Sequence, residues 1–163
     1  MNYKSIIVTA LFSITLGLSS CGNKSGKPTS SSNSIEFMEI PIEGNVNSFG
    51  EKLEQRGYYC NGDDTLSNQI GYDGIYLNKT VMIVLTYDQG TRAINRVRTW
   101  FKKDMPNAAS LLNEYTEKYG KCEMKAEYGN VYYTWKVDGG YIGVVTDNSS
   151  FLAIDYSNKE LEY

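Results

Sequence analysis

Histidine is absent from this 163-residue chain. That excludes Ser-His-Asp and Cys-His nucleophilic systems and the usual zinc ligand sets, all of which need an imidazole. Cysteine is scarce: beyond Cys21 only Cys60 and Cys122 occur. A long hydrophobic run is also lacking. The one extended uncharged apolar stretch, Ile6 to Leu18, falls short of the about 20 apolar residues a membrane-crossing helix needs. Charge is nearly balanced, with 16 basic and 19 acidic side chains scattered along the chain. Nucleic-acid binders concentrate positive charge on one face, so no nucleic-acid partner is expected. No cofactor pattern is recognisable.

What is present begins at the N-terminus. Lys4 precedes the Ile6–Leu18 stretch, which has the basic start and the size of a signal-peptide core. It ends in Leu18-Ser19-Ser20-Cys21, which resembles the lipobox of bacterial lipoprotein signals. That resemblance implies a signal peptide over 1–20, cleavage before Cys21 and diacylglyceration of its thiol. Two or three acyl chains anchor a protein stably where one does not. Residues 21–34, "CGNKSGKPTSSSNS", then read as a lipidated Cys followed by a disordered tether, with an r.m.s. reach of roughly 20 Å. Gly22, rather than Asp, follows the Cys. By resemblance to the enterobacterial sorting rule this favours the outer membrane, facing the periplasm, with surface display open.

Residues 35–163 make one domain of ordinary size. In "GNVNSFGEKLEQRGYYC", Asn45 is placed to cap a helix whose Val46, Phe49 and Leu53 recur at helical spacing, with Gly57 ending it. A loop is expected over Asn61 to Asn68. Val81–Tyr87 is apolar on both alternating faces, as in a strand covered on both sides. Tyr87-Asp88-Gln89-Gly90 turns the chain into a strand over Ile94–Phe101. A second helix is expected after Pro106, which would sit in its first turn. Its stripe is Ala108, Leu111, Leu112, Tyr115 and Tyr119, and Gly120 ends it. Three strands follow, over Asn130–Val137, Tyr141–Thr146 and Phe151–Tyr156, with Asp138-Gly139 marking a tight turn. The expectation is α+β: one antiparallel sheet of about six strands with two helices packed on it, in the order α-βββ-α-βββ. "KLEQRGYYC" and "YTEKYGKC" echo each other, so the two halves read as a duplication.

The segments "FMEIPIEGNVNSFGEKLEQRGY", "YDGIYLNKTVMIVLTYDQ", "INRVRTWF", "LLNEYTEKYGKC" and "LAIDYSNKE" together resemble a family of small Bacteroidetes lipoproteins of unknown function. The element order is also similar to beta-lactamase-inhibitor-protein-like folds. Both likenesses are structural and imply no mechanism.

Several residues are candidates for function. Cys60 and Cys122 would form a disulfide in an oxidising envelope, or stay as two separate thiols. Asn61-x-Asp63-x-Thr65 has the opening spacing of a calcium loop, but Tyr72 stands where the twelfth-position Glu should be, so no metal is expected. Asp64-Thr65-Leu66 resembles the O-glycosylation pattern of Bacteroidetes envelope proteins, at Thr65. Arg92, Arg96, Arg98, Lys102 and Lys103 cluster on one strand and its flanks. Arg96 and Arg98 share a face with Trp100 by alternation, either as a contact strip or as a solvated face. Tyr132, Thr134 and Lys136 are expected outward, while Val131, Tyr133, Trp135 and Val137 pack inward. These features favour a non-catalytic lipoprotein that binds an envelope protein through an open sheet face. A hydrolase with an unrecognised site and a glycan-binding lipoprotein are the alternatives.

Overall fold

The computed structural model describes residues 34–102, 104–147 and 150–163. The signal peptide, Cys21, nearly all of the tether and Lys103 therefore lie outside the described residues. The chain opens with a two-stranded ribbon, β1 (Glu36–Phe37) and β2 (Ile40–Pro41), followed by α1 (Val46–Glu54). Four strands come next: β3 (Tyr59–Asp64), β4 (Gln69–Tyr76), β5 (Lys79–Tyr87) and β6 (Ile94–Phe101). Then α2 (Ala108–Tyr119) leads to β7 (Glu123–Glu127), β8 (Asn130–Val137), β9 (Gly140–Thr146) and β10 (Leu152–Ser157).

All eight later strands form one antiparallel sheet in the order β3-β4-β5-β6-β10-β9-β8-β7. Each half is a helix followed by a four-stranded meander, and the two meanders meet through their last strands, Asp155 lying opposite Arg98. The α+β class thus matches the sequence reading, but the sheet has eight strands rather than six and the order is ββ-α-ββββ-α-ββββ rather than α-βββ-α-βββ. The two missed strands are its edges. Every residue of β3 is exposed, as are four of the five in β7. "YCNGDD" and "EMKAE" carry no apolar alternation to signal a strand, although their backbones pair with β4 and β8. The loop expected over 61–68 is accordingly β3 through Asp64, then a turn.

The helices start where short polar side chains satisfy free backbone N–H groups. Asn45 accepts from the Asn47 amide at 2.9 Å and Asn107 from the Ser110 amide at 3.0 Å. Asn107, not the proline, begins α2, so Pro106 precedes the cap instead of occupying the first turn. Helix α1 packs on β3 and β5, and α2 on β8. Between helices and sheet lie Phe49, Leu53, Ile83, Leu85, Trp135 and Ile154, all 2% exposed or less. The ribbon, which the periodicity did not signal, adds Phe37, Ile40 and Ile42 to this core. Phe37 packs on the rings of Tyr76 and Tyr156, 5.1 and 5.3 Å away.

On α2 the buried apolar side chains are Leu111 and Tyr115, whereas Leu112 is only partly covered. Leu111→Ala should cost about 2–5 kcal/mol, the range for a buried leucine, and Leu112→Ala clearly less. Urea unfolding of the two variants checks this, and a larger loss for Leu112 would mean the helix is rotated.

Strand β5 shows how the layers are arranged. Val81, Ile83, Leu85 and Tyr87 are buried toward the helices, while Met82, Val84 and Thr86 are half-exposed on the other side. Strand β5 is covered on one face, not on both as the apolar run suggested.

Candidate binding face

Alternation sends Arg96, Arg98 and Trp100 of β6 to the face away from the helices, because Val97 and Thr99 between them are fully buried. The same alternation places Asp155 of β10 on that face, directly across from Arg98. Asp155 is fully buried, and both arginines grip it with two bonds each. Arg96 donates from Nε and Nη2 at 2.8 and 2.7 Å, and Arg98 from the same atoms at 2.7 and 2.8 Å. Such forked contacts are the strongest carboxylate–guanidinium geometry. Burial alone would raise the Asp155 pKa, but the hydrogen bonds and charges of Arg98 and Arg96 outweigh it and hold the carboxyl below its ordinary range.

A fifth hydrogen bond reaches Asp155 from the C-terminal segment. The Tyr163 hydroxyl donates to Oδ2 at 2.9 Å. Burial, then the Asp155 charge, push that phenol well above its ordinary pKa, so it stays a donor. Its ring stacks on Tyr132, with centroids 4.5 Å apart, and Arg96 sits 5.5 Å from its centroid. Gly143 makes this path possible. A Cβ there would collide with the Tyr163 hydroxyl and crowd Leu161. The segment thus lies across β9 in a notch that only glycine leaves open.

The sequence-derived face residues therefore separate into three settings. Arg96 and Arg98 form one centre with Asp155. Tyr132 and Thr134 lie on the same face but line a 330 Å³ hollow with Leu161 and Tyr163, so Tyr132 is half-buried rather than freely exposed. Lys136 is exposed and shares the register of Tyr132, yet its side chain borders another hollow, of 630 Å³. That larger space is lined also by Ser34, Glu39, Tyr119 and Tyr156. Tyr133 is partly buried and Trp135 fully buried on the helix side.

The solvated-face reading of the arginines is corrected by Asp155, which leaves each of them only about a fifth exposed, at 22% and 23%. One acidic residue inside the apolar run "LAIDYS", set against two arginines at alternate positions of another strand, was the available signal. Nothing comparable pointed to Tyr163, which follows the last strand without any periodicity.

The other candidates sit apart. Cys60 is on edge strand β3, and Cys122 precedes β7 at the opposite edge. Seven strand spacings separate those edges, roughly 30 Å at about 4.8 Å each. A disulfide needs Cα atoms within about 7 Å. Both are free thiols, so of the two readings the structure has the separate thiols. Thr65 is exposed in the β3–β4 turn, whose geometry Asp64 holds by accepting from the Leu66 and Ser67 amides at 3.1 and 3.3 Å. Asp63 faces Arg92 at 3.6 Å, and among the described residues no group of three or more His, Cys, Asp or Glu side chains is arranged to hold a metal ion.

Over β4 to β6 the face is open. A groove of 180 Å³ runs between Met82, Val84, Thr86, Arg98 and Trp100, and a neighbouring hollow of 330 Å³ shares Met82 and Val84 with it and reaches Asn61 and Asp64. Tyr59 and Ile75, 63% and 69% exposed, extend the apolar area on the same face toward the β3 edge. The nearby Asp73 is tied to Lys102 at 2.5 Å. What this half of the sheet offers is apolar floor, aromatic area and guanidinium donors. Comparison with family models, curated proteins and solved structures finds no match to this chain.

Proposed function

We propose that this protein is a lipid-anchored envelope lipoprotein whose folded domain docks a partner protein on the sheet face opposite its helices. One observation carries the reading. Both helices and the ribbon pack on one side, while the other side presents Tyr59, Ile75, Met82, Val84, Trp100 and the arginine pair over β3 to β6. Aromatic residues and arginine over an apolar floor are the composition of energetic centres in protein interfaces. No described helix is long and apolar enough to cross a membrane; the reading assigns attachment to acyl chains on Cys21, with the tether letting the domain reach partners beside the outer membrane. Membership of the small Bacteroidetes lipoprotein family, a fold like the beta-lactamase-inhibitor-protein-like domains, and a glycan on Thr65 belong to the same proposal.

Two measurements on cells producing the full chain test it. Mass spectrometry of the mature N-terminus should find an acylated Cys21, and Cys21→Ser should yield uncleaved or unanchored protein. A photo-crosslinking residue at Val84 should give a discrete protein adduct, while one at Thr116, exposed on α2, should not. An unmodified terminus elsewhere overturns the anchor. Adducts from Thr116 but not from Val84 overturn the docking face.

A further inference from the structure

The arginine centre does more than hold the sheet together, because its charges do not cancel. Asp155 supplies one negative charge and accepts five hydrogen bonds, two from Arg96, two from Arg98 and one from Tyr163. A carboxylate has about four lone-pair sites, so this one is saturated. Against it stand two guanidinium charges on side chains only 22% and 23% exposed. Each guanidinium has spent its Nε and an Nη2 donor on Asp155, which leaves its Nη1 group and one whole positive charge for the groove that both side chains line. A carboxylate entering there would meet planar donors already locked in place by Asp155, so little side-chain entropy is lost when it binds.

We propose that the Arg96–Asp155–Arg98 centre is a carboxylate receptor, which takes a Glu or Asp side chain from an acidic, apolar-flanked polypeptide segment lying across β4 to β6. This rests on the docking reading above and names the chemistry of the partner. Three features favour a polypeptide. The groove is the size of one or two side chains, at 180 Å³, and its floor of Met82 and Val84 continues toward exposed Ile75. Trp100 is not a bare platform for a sugar ring, since Phe151 packs at 68° to it, 5.1 Å away, and the Arg98 guanidinium lies 5.4 Å from its ring. Asp73, the neighbouring acid on this face, is neutralised by Lys102, so it does not draw on the surplus positive charge.

Fluorescence anisotropy on the folded chain tests the proposal with three labelled probes at low salt. These are a peptide of alternating Glu and Val, the same peptide with Gln for Glu, and oligogalacturonate as a carboxylated sugar. The Glu peptide should bind at least about tenfold tighter than the Gln peptide, and Arg98→Gln should remove most of that difference. Arg98→Gln is the chosen variant because Arg96 still pairs Asp155 one to one, and a single cooperative melting transition, even at lower temperature, confirms that the fold is kept. Arg98→Lys, which retains the charge without the fork, should recover part of the affinity. Three results overturn the proposal: no binding of the Glu peptide, equal binding of the Gln peptide, or oligogalacturonate binding more tightly with the same Arg98 dependence. Repeating the Val84 crosslink with Arg98→Gln separates the two readings. An adduct that persists unweakened leaves the docking face standing and removes the carboxylate site.

Discussion

Replacing Asp155 with Asn should cost the domain about 3–5 kcal/mol, among the largest losses available from one substitution. The acid is fully buried and holds two arginines 2.7–2.8 Å away. With Asn in its place, two guanidinium groups on alternate β6 positions would face each other without a counter-charge, and the Asn amide would point donors at donors. Removing one member of a half-buried charge cluster in this way is far more costly than its net contribution suggests. The loss should appear in urea unfolding at neutral pH, and a change below about 1 kcal/mol would contradict the arrangement.

The same group predicts an acid dependence with a definite sign. Its folded pKa is lowered, with the pull of Arg98 and Arg96 exceeding the opposing effect of burial. A depressed carboxylate contributes stability that is fully present above the unfolded value of about 3.9 and is lost as pH falls from there through the folded value. The wild-type chain should therefore lose stability more steeply than Asp155→Asn once pH drops below about 4, and the two curves should converge. Parallel curves would show that Asp155 is not ionised in the fold.

Why one part of this molecule is legible in sequence and another is not follows from where the signal resides. Strands β6 and β8, and the capping asparagine of α1, are written in local alternation and cap chemistry. Their expected limits, Ile94–Phe101 and Asn130–Val137, coincide with the structure. Edge strands β3 and β7 are not, because a strand whose side chains are nearly all exposed carries no apolar period. The ribbon escaped for a different reason. Its strands are two residues long, too short for any period, although Phe37 and Ile40 are core residues. For the binding face, alternation sufficed to put Arg96, Arg98, Tyr132 and Thr134 on one side. That two of them share a buried acid, and that another lies beneath the chain's last residue, are tertiary facts. They depend on β6 pairing with β10 and on Gly143 leaving room for Leu161 and Tyr163. The choice between a disulfide and two separate thiols stayed open on the same ground, since sequence spacing carries no information on which edge of the sheet each thiol reaches.

Trp135→Ala is the second large effect and the sharpest test of which way β8 faces. The indole is 1% exposed and lies edge-on to Tyr115 of α2, with centroids 5.6 Å apart at 81°. Its Nε1–H donates to the Gly120 carbonyl at 3.0 Å, just past the end of that helix. Trp135 therefore secures α2 to the second half of the sheet by packing and by one directed bond. Truncation to Ala leaves a cavity too large for the helix to close, and strands a helix-end carbonyl without its donor. The expected loss is about 3–5 kcal/mol. Trp135→Phe keeps most of the volume and removes the donor, so its loss should be smaller, about 1–3 kcal/mol. Tyr132, three residues earlier and on the opposite face, is half-buried beneath Tyr163 rather than in the core. Tyr132→Ala should cost only the stacking energy, about 0.5–1.5 kcal/mol. Urea unfolding of the three variants should rank them Trp135→Ala, Trp135→Phe, Tyr132→Ala. If Tyr132→Ala proved the most damaging, β8 would be paired one residue out of register. The β8 side chains placed on the open face, Tyr132 and Thr134, would then belong under the helix instead.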